Sequence, residues 1–314
     1  MMQQDTALIG RKIFVAGHKG MVGSAIVRRL SSEQCDVIVA DRSKLDLMDQ
    51  RGVRHYLSIE RPDIVVIAAA KVGGILANSQ YPVEFLYNNI MIAANVIEAA
   101  HRSDVNRLLF LGSSCIYPKF ADQPIVEESL LTGPLEATNE WYAIAKIAGI
   151  KLAEAYRAQY GRDYISAMPT NLYGPGDNFD ATSSHVLPAL IRKAHEAKVS
   201  GSPNMTIWGS GAPRREFLHA EDCADACVFL LNNYHGAGHI NVGAGWDLTI
   251  HELATKVCEI VRYEGSLICD TSMPDGTPRK LMDSTKLHKM GWAPKMGLAD
   301  GVLDTYKWYL ENLG

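Results

Sequence analysis

Short β-branched runs alternate along the chain with longer stretches whose apolar residues recur every three or four positions. The runs are "KIFVAG" (12–17), "DVIVAD" (36–41), "DIVVIAAA" (63–70), "RLLFLGSS" (107–114) and "YISAMPTN" (164–171). Apolar runs without polar alternation mark strands buried on both faces, which need helices as cover. The intervening stretches supply that cover, with one stripe at Met21, Ile26, Val27 and Leu30 and another at Ile92, Val96, Ile97 and Ala100. The pattern predicts an α/β protein built on a doubly wound parallel sheet, whose ligands sit outside the carboxyl ends of the strands. After about Thr170 the alternation loosens into "NLYGPGDNF" and "IWGSGAPRREF", and a smaller, discontinuous α/β lobe is expected there.

Composition narrows the classes of function. The chain has 314 residues, more than the roughly 250–300 at which single cores stop growing. A net charge of -4 with interspersed signs leaves no basic face for a nucleic acid, so no such partner is expected. The stretch "MMQQDTALIGRK" has no apolar signal core, and the longest apolar run, Ile64 to Ala70, is too short to span a bilayer. A soluble, cytoplasmic protein without a membrane partner is the expectation. Cys35, Cys115, Cys223, Cys227, Cys258 and Cys269 include no CxxC pair, which points to neither a disulfide framework nor a metal site. Cys115 stands apart, two residues after Ser113, where the apolar run Leu108 to Leu111 stops.

"AGHKGMVGSA" follows the first predicted strand and opens a helix, placing glycines at 17, 20 and 23. Such a turn lets backbone approach a pyrophosphate while the helix offers its free N–H groups. This is a Rossmann feature, and it assigns 1–169 with 217–244 to a dinucleotide-binding domain and 170–216 with 245–314 to a substrate lobe. The second strand ends in Asp41-Arg42. An acid there suits the ribose of NAD and a base the 2′-phosphate of NADP, and with Lys19 in the turn the balance is read as NADP.

"WYAIAK" sets Tyr142 and Lys146 at i and i+4, on one helix face, where an ammonium can favour a phenolate. With Ser113 at the end of the fourth strand, these residues resemble the extended short-chain dehydrogenase/reductase superfamily. The resemblance implies that the serine orients a carbonyl, the tyrosine passes a proton and the lysine holds the nicotinamide ribose. Sugar-nucleotide dehydratases of that superfamily usually carry an Asp-Glu pair soon after the serine. Here Cys115-Ile116 stands there, which disfavours dehydration. A thiol could instead take a proton alpha to a ketone, and "SSHVLPAL" offers His185 for the opposite face.

A longer set of segments resembles the GDP-L-fucose synthase family: "KVGGI" (71–75), "FLGSSCIYP" (110–118), "NEWYAIAKIAGIKL" (139–152), "RDYISAMPTNLYGPGDNF" (162–179), "SHVLPALIRK" (184–193), "WGSGAPRREFLH" (208–219) and "PDGTPRKLMD" (274–283). That family implies NADPH-dependent 3,5-epimerisation and 4-reduction of a GDP-linked keto-sugar, by a homodimer. Carried across, it implies Cys115 as base and His185 as acid, with Ser113, Tyr142 and Lys146 for the reduction. The cofactor residues implied are Gly17, His18, Lys19, Gly20, Met21, Val22, Gly23, Arg42, Leu111, Gly112, Ser113, Ser114, Tyr142, Lys146, Pro169, Thr170, Asn171, Leu172 and His185. Lys193, Trp208, Arg215 and Asp275 are implied for the substrate, with Arg214 and Arg279 open as further phosphate ligands. Two departures stand out: Asp41 would repel a 2′-phosphate unless Lys19 and Arg42 outweigh it, and Lys193 stands where an arginine is familiar.

Two other readings remain. A nucleotide-sugar 4-epimerase that retains NAD would have no use for Cys115 and His185. A non-catalytic NADP-binding member of the fold would have none for Tyr142.

Overall fold

In a computed structural model describing residues 8–273 and 275–314, the first half of the chain alternates strand and helix. β1 (Lys12–Ala16) runs through the glycine turn into α1 (Met21–Leu30). There follow β2 (Asp36–Ile38), α2 (Gln50–Glu60), β3 (Ile64–Ile67), the short α3 (Ile75–Gln80), α4 (Pro82–Arg102), β4 (Arg107–Leu111), α5 (Glu140–Tyr160) and β5 (Asp163–Pro169). Residues 1–7, which hold part of the stretch read for a targeting segment and the start of the expected first domain, lie outside the described residues, as does Pro274.

The second half is less regular. It comprises β6 (Asn171–Tyr173), α6 (Val186–Ser200), β7 (Asn204–Trp208), β8 (Arg214–Arg215), β9 (Phe217–His219), α7 (Ala220–Asn233) and β10 (Ile240–Val242). After these come β11 (Leu248–Thr249), α8 (Ile250–Val261), β12 (Ser266–Asp270), β13 (Arg279–Lys280), α9 (Thr285–Lys289) and α10 (Leu298–Asn312).

Six strands form one parallel sheet in the order β10-β5-β4-β3-β1-β2. Its central strands are buried along their length because they are almost pure Val, Ile, Leu and Phe. Each such side chain contributes about 1.5–3 kcal/mol when fully buried, so cover on both faces is strongly favoured. Residues of α1 and α7 line one face, and residues of α2, α4 and α5 the other. Within 217–244, β10 joins this sheet beside β5, whereas β9 pairs with β6 outside it. The strand expected over 36–41 stops at Ile38, since β2 is an edge strand with only β1 as neighbour.

A second core gathers α6, α8 and α10 around Leu190, Ile191, Ile207, Leu253, Val257, Val302 and Tyr309. Around it lie the parallel pair β7 and β12 and a three-stranded patch ordered β11-β8-β13. β1, β4 and β5 release their chains at a common carboxyl edge, and that edge faces the segments of this second core.

Candidate active site

The glycine turn is built for close approach. Gly17 has φ +93°, and a Cβ there would lie 2.5 Å from the Ala69 backbone nitrogen. One on Gly23 would lie 2.0 Å from the Gly17 carbonyl oxygen. Only bare backbone fits. α1 then starts after Gly20 with no side-chain cap and no acid in its first turn, which leaves its N–H groups free for an anion. This cradle fits the pyrophosphate of a dinucleotide. Beside it the Asp41 carboxylate meets Lys19 Nζ at 2.7 Å and His18 Nε2 at 3.2 Å, while Arg42 is exposed. The hydrogen bond from Lys19 holds the Asp41 carboxyl below its ordinary range. The repulsion expected from Asp41 is thus offset by two basic side chains touching it.

The turn after β4 carries the reacting groups. Gly112 N–H donates to the Ala167 carbonyl at 2.9 Å, tying the turn to β5. Ser113 is extended and caps a single helical turn, Ser114–Ile116, by accepting from the Cys115 N–H at 3.5 Å. Tyr142 and Lys146 share one face of α5, with Lys146 Nζ 5.7 Å from the centre of the tyrosine ring. That ammonium donates to the Leu111 carbonyl at 2.8 Å. On the far side of the cleft Thr170 N–H donates to the Val242 carbonyl and Asn171 Nδ2 to that of Glu216, fixing the segment from Pro169 to Leu172.

Burial dominates the protonation of this turn. It lowers Lys146 to about 8, with the nearby Cys115 opposing. The Tyr142 phenol is pushed well up, first by burial and then by Cys115, against a hydrogen bond from Ser113. Burial outweighs the easing of the phenol expected from Lys146, whose ammonium is oriented by the Leu111 carbonyl. Burial also raises the Cys115 thiol, and the strongest opposing influence is Lys280, ahead of Ser113 and Lys146. His185 stands at the head of α6 without a side-chain cap bond and is exposed to solvent. Burial and then Lys280 hold its imidazole below the usual histidine value.

The second wall presents the residues read for a substrate. Lys193 Nζ lies 5.0 Å above the ring of Trp208 and donates to the Thr206 carbonyl at 3.1 Å. Trp208 is 51% exposed, unusual for an indole with only a structural role. Asp275 accepts from Ser210 N–H at 2.7 Å and Ser210 Oγ at 2.8 Å, two residues beyond Trp208. Arg215 Nη1 donates to the Arg214 carbonyl at 2.8 Å, and burial lowers its guanidinium, with Glu136 and Asp275 its charged neighbours. Arg214 and Arg279, open as phosphate ligands in the sequence, both close on Asp247 instead. The groups sequence reasoning missed are Lys280 and Glu136, which line the cavity at Cys115. The "RR" and "RK" pairs held the signal, since strand alternation sends one member of each pair inward.

A family model described as the NAD dependent epimerase/dehydratase family matches residues 13–243. The chain belongs to that family. Within it, the chain is 61% identical over 98% of its length to the GDP-L-fucose synthase of Sinorhizobium fredii (strain NBRC 101917 / NGR234), covering 98% of that protein. It is 54% identical to the GDP-L-fucose synthase of Escherichia coli (strain K12), over 96% of this chain and 97% of that one. Among solved structures, a GDP-mannoheptose C4 reductase from Campylobacter jejuni with NADP bound superposes with a TM-score of 0.89 at 37% identity, covering 99% of this chain and 100% of the other. The epimerase/dehydratase fold is therefore shared from end to end.

Proposed function

We propose that this chain converts GDP-4-keto-6-deoxy-D-mannose to GDP-L-fucose, inverting C3 and C5 and then reducing C4 with NADPH. What supports this reading is that Ser113, Cys115, Tyr142 and Lys146 meet at one turn, and that Lys280 is a charged neighbour of both Cys115 and His185. The identity to GDP-L-fucose synthases supports it over nearly the whole chain. A 4-epimerase would leave the thiol and imidazole without a task.

The residues divide the work as follows. The C4 ketone acidifies the hydrogens on both neighbouring carbons. Cys115, as thiolate, takes the proton from one face, and His185 returns a proton to the other, so the carbon inverts. Ser113 hydrogen-bonds the ketone oxygen throughout. Cys115 and Tyr142 each disfavour the other's anion, so the phenol keeps its proton while the thiolate acts. Tyr142 then has that proton to give to the C4 oxygen during reduction. When bound, NADPH supplies the hydride to C4. The backbone of Gly17 to Gly23 would hold its pyrophosphate, Lys19 and Arg42 its 2′-phosphate, and Leu111 to Ser114, Lys146, Pro169 to Leu172 and His185 its nicotinamide half. Lys193, Arg215, Trp208 and Asp275 would grip the GDP. In this reading 1–169 with 217–244 binds cofactor and 170–216 with 245–314 binds substrate.

A homodimer is part of the proposal. On α5, Trp141, Ile144, Ala148, Lys151 and Ala155 form an exposed stripe at helical spacing, and Val83 and Tyr87 are exposed on the neighbouring α4. A second copy could cover these helices. Among the described residues no helix is long and apolar enough to cross a membrane, and all six thiols are free, which supports a reducing, cytoplasmic setting.

The test mixes the purified protein with GDP-4-keto-6-deoxymannose and NADPH, beside a Cys115→Ser variant, and identifies the sugar formed. The wild type should make GDP-fucose, and the variant should lose about 10²–10⁴-fold in epimerisation. NADPH left unoxidised by the wild type, or full activity in the variant, defeats the reading.

A further inference from the structure

Lys280 is a cation in the cleft that no role above uses. It is the second residue of β13, whose parallel register with β8 sets Arg279 beside Arg214 and Lys280 beside Arg215. Neighbouring strand residues point to opposite faces. On one face Arg214 and Arg279 both close on Asp247, whose side chain is only 5% exposed. Lys280 and Arg215 are left to the other face, toward the cleft. The strand cannot easily slip. Glu216 N–H donates to the Lys280 carbonyl, Leu281 N–H to Gln123 Oε1 at 2.8 Å, and Met282 N–H to Glu216 Oε2 at 3.1 Å.

Lys280 and Cys115 line the same cavity. The carboxylate in that cavity, Glu136, is already engaged by Lys119 at 3.0 Å and by Thr277 Oγ1 at 3.3 Å. Among the described residues the Lys280 ammonium has no ion-pair or hydrogen-bond partner of its own. Lys280 is only partly buried, yet burial lowers its hold on its proton. A charge without a partner at the wall of a cavity is available to a group inside it.

We propose that Lys280 is the counter-charge of Cys115, favouring the thiolate that epimerisation requires. The groups facing the thiol are Ser113 on its own turn, Tyr142 and Lys146 on α5, Lys280 on β13, and Glu136 and Lys119 before α5, while His185 at the head of α6 shares Lys280 as a charged neighbour. Lys146 spends its strongest contact on the Leu111 carbonyl, and Lys119 spends its on Glu136. Among the described residues Lys280 alone of these cations makes no hydrogen bond or ion pair, and its opposite-charge neighbours are Cys115 and then Glu136. Lys280 also loosens the proton on His185, which makes that imidazolium a readier donor to the opposite face.

The proposal rests on Cys115 being the epimerisation base, but its test does not. Alkylation of Cys115 by iodoacetamide, resolved by peptide mass spectrometry across pH, reads the thiolate directly in the full-length protein. Lys280→Met should slow Cys115 alkylation at neutral pH about tenfold, a shift of about one pH unit. Lys280→Arg should keep the wild-type profile, and the exposed Cys269 should react alike in all three. In kinetics Lys280→Met should lower kcat for exchange of the C3 and C5 hydrogens with D2O about tenfold, with KM steady. Lys280→Met removes an unpaired charge and keeps the stem, so the fold should hold; Lys280→Gln repeats the test if methionine packs badly. An unchanged Cys115 profile overturns the proposal, and a raised KM beside it would assign Lys280 to the substrate diphosphate. If instead Cys115→Ser is fully active, the base assignment falls while the alkylation profile still decides whether Lys280 governs the thiol.

Discussion

At the two ends of its parallel sheet the protein places cations and treats them in opposite ways. Arg107 opens β4 at the amino edge, in the wall of a polar cavity of about 800 Å³. Its guanidinium pairs with Asp163 and donates to the carbonyls of Leu230, Leu231 and Tyr234 at 2.8–2.9 Å. Arg157 adds a second guanidinium to Asp163 at 2.7 Å, and Arg11 reaches Asp63. At the carboxyl edge of the same strand Lys146 has a carbonyl as its hydrogen-bond partner, and Lys280 has no hydrogen-bond or ion-pair partner among the described residues. Charge that is fully met holds the fold together, while charge left unmet is available to a substrate. The larger cavity is for that reason the poorer candidate for chemistry.

The sharpest way to break this contrast is Arg107→Met. It leaves Asp163 with less counter-charge and takes a donor from three carbonyls, of which that of Leu230 keeps the Tyr234 N–H, and should cost about 3–5 kcal/mol of stability. Turnover per folded molecule should not change. Denaturant unfolding and steady-state kinetics on one preparation measure both, and a loss of kcat without a loss of stability would make the amino edge functional.

Much of this division was legible in the sequence where it depended on neighbours along the chain. The strands showed as unbroken Val and Ile runs, the glycine turn by its place after the first of them, and Tyr142 with Lys146 by helical spacing. Cys115 was visible because a thiol interrupts a serine turn at a strand end. What escaped was set by pairing between distant segments. Nothing local says that Asp247 takes Arg214 and Arg279 and thereby leaves Arg215 and Lys280 to the cleft. Nor does spacing reveal that Lys146 answers to the Leu111 carbonyl, or that His18 and Lys19 both settle on Asp41. Periodicity reports which face a side chain takes, whereas its partner is chosen by tertiary packing.

The pH dependence of stability should separate the two edges next. Burial opposes ionisation of Asp163, but Arg157, His235 and Arg107 outweigh it and hold the carboxyl below its ordinary range. Its contribution is therefore complete above the unfolded value near 4 and is lost as pH falls through the folded one. Lys146 behaves conversely. Its folded value of about 8 lies below the ordinary 10.5, so the cost of its charge is borne in full at neutral pH. Between those values the unfolded chain binds more protons, and stability should rise with pH by at most about 3 kcal/mol. Unfolding titrations of wild type against Lys146→Met test this, because the variant should lack the rise. Parallel curves for the two proteins would mean that Lys146 is better solvated than its surroundings imply.

Lys193 lies between these extremes and should give the smallest effect. Its ammonium has a carbonyl and an indole face as partners, yet it stays open to solvent beside the exposed Trp208. Partners of that kind orient a charge without neutralising it, so it can still meet a phosphate. Lys193→Met keeps the stem against the indole and removes the charge. KM for the GDP-sugar should rise about tenfold, as expected for one charge-assisted hydrogen bond of about 1.5 kcal/mol. Stability and kcat should stay as they are, since neither the fold nor the reacting carbons depend on this group. A KM unchanged by the substitution would place Lys193 with Arg107, as a cation already satisfied by its own protein.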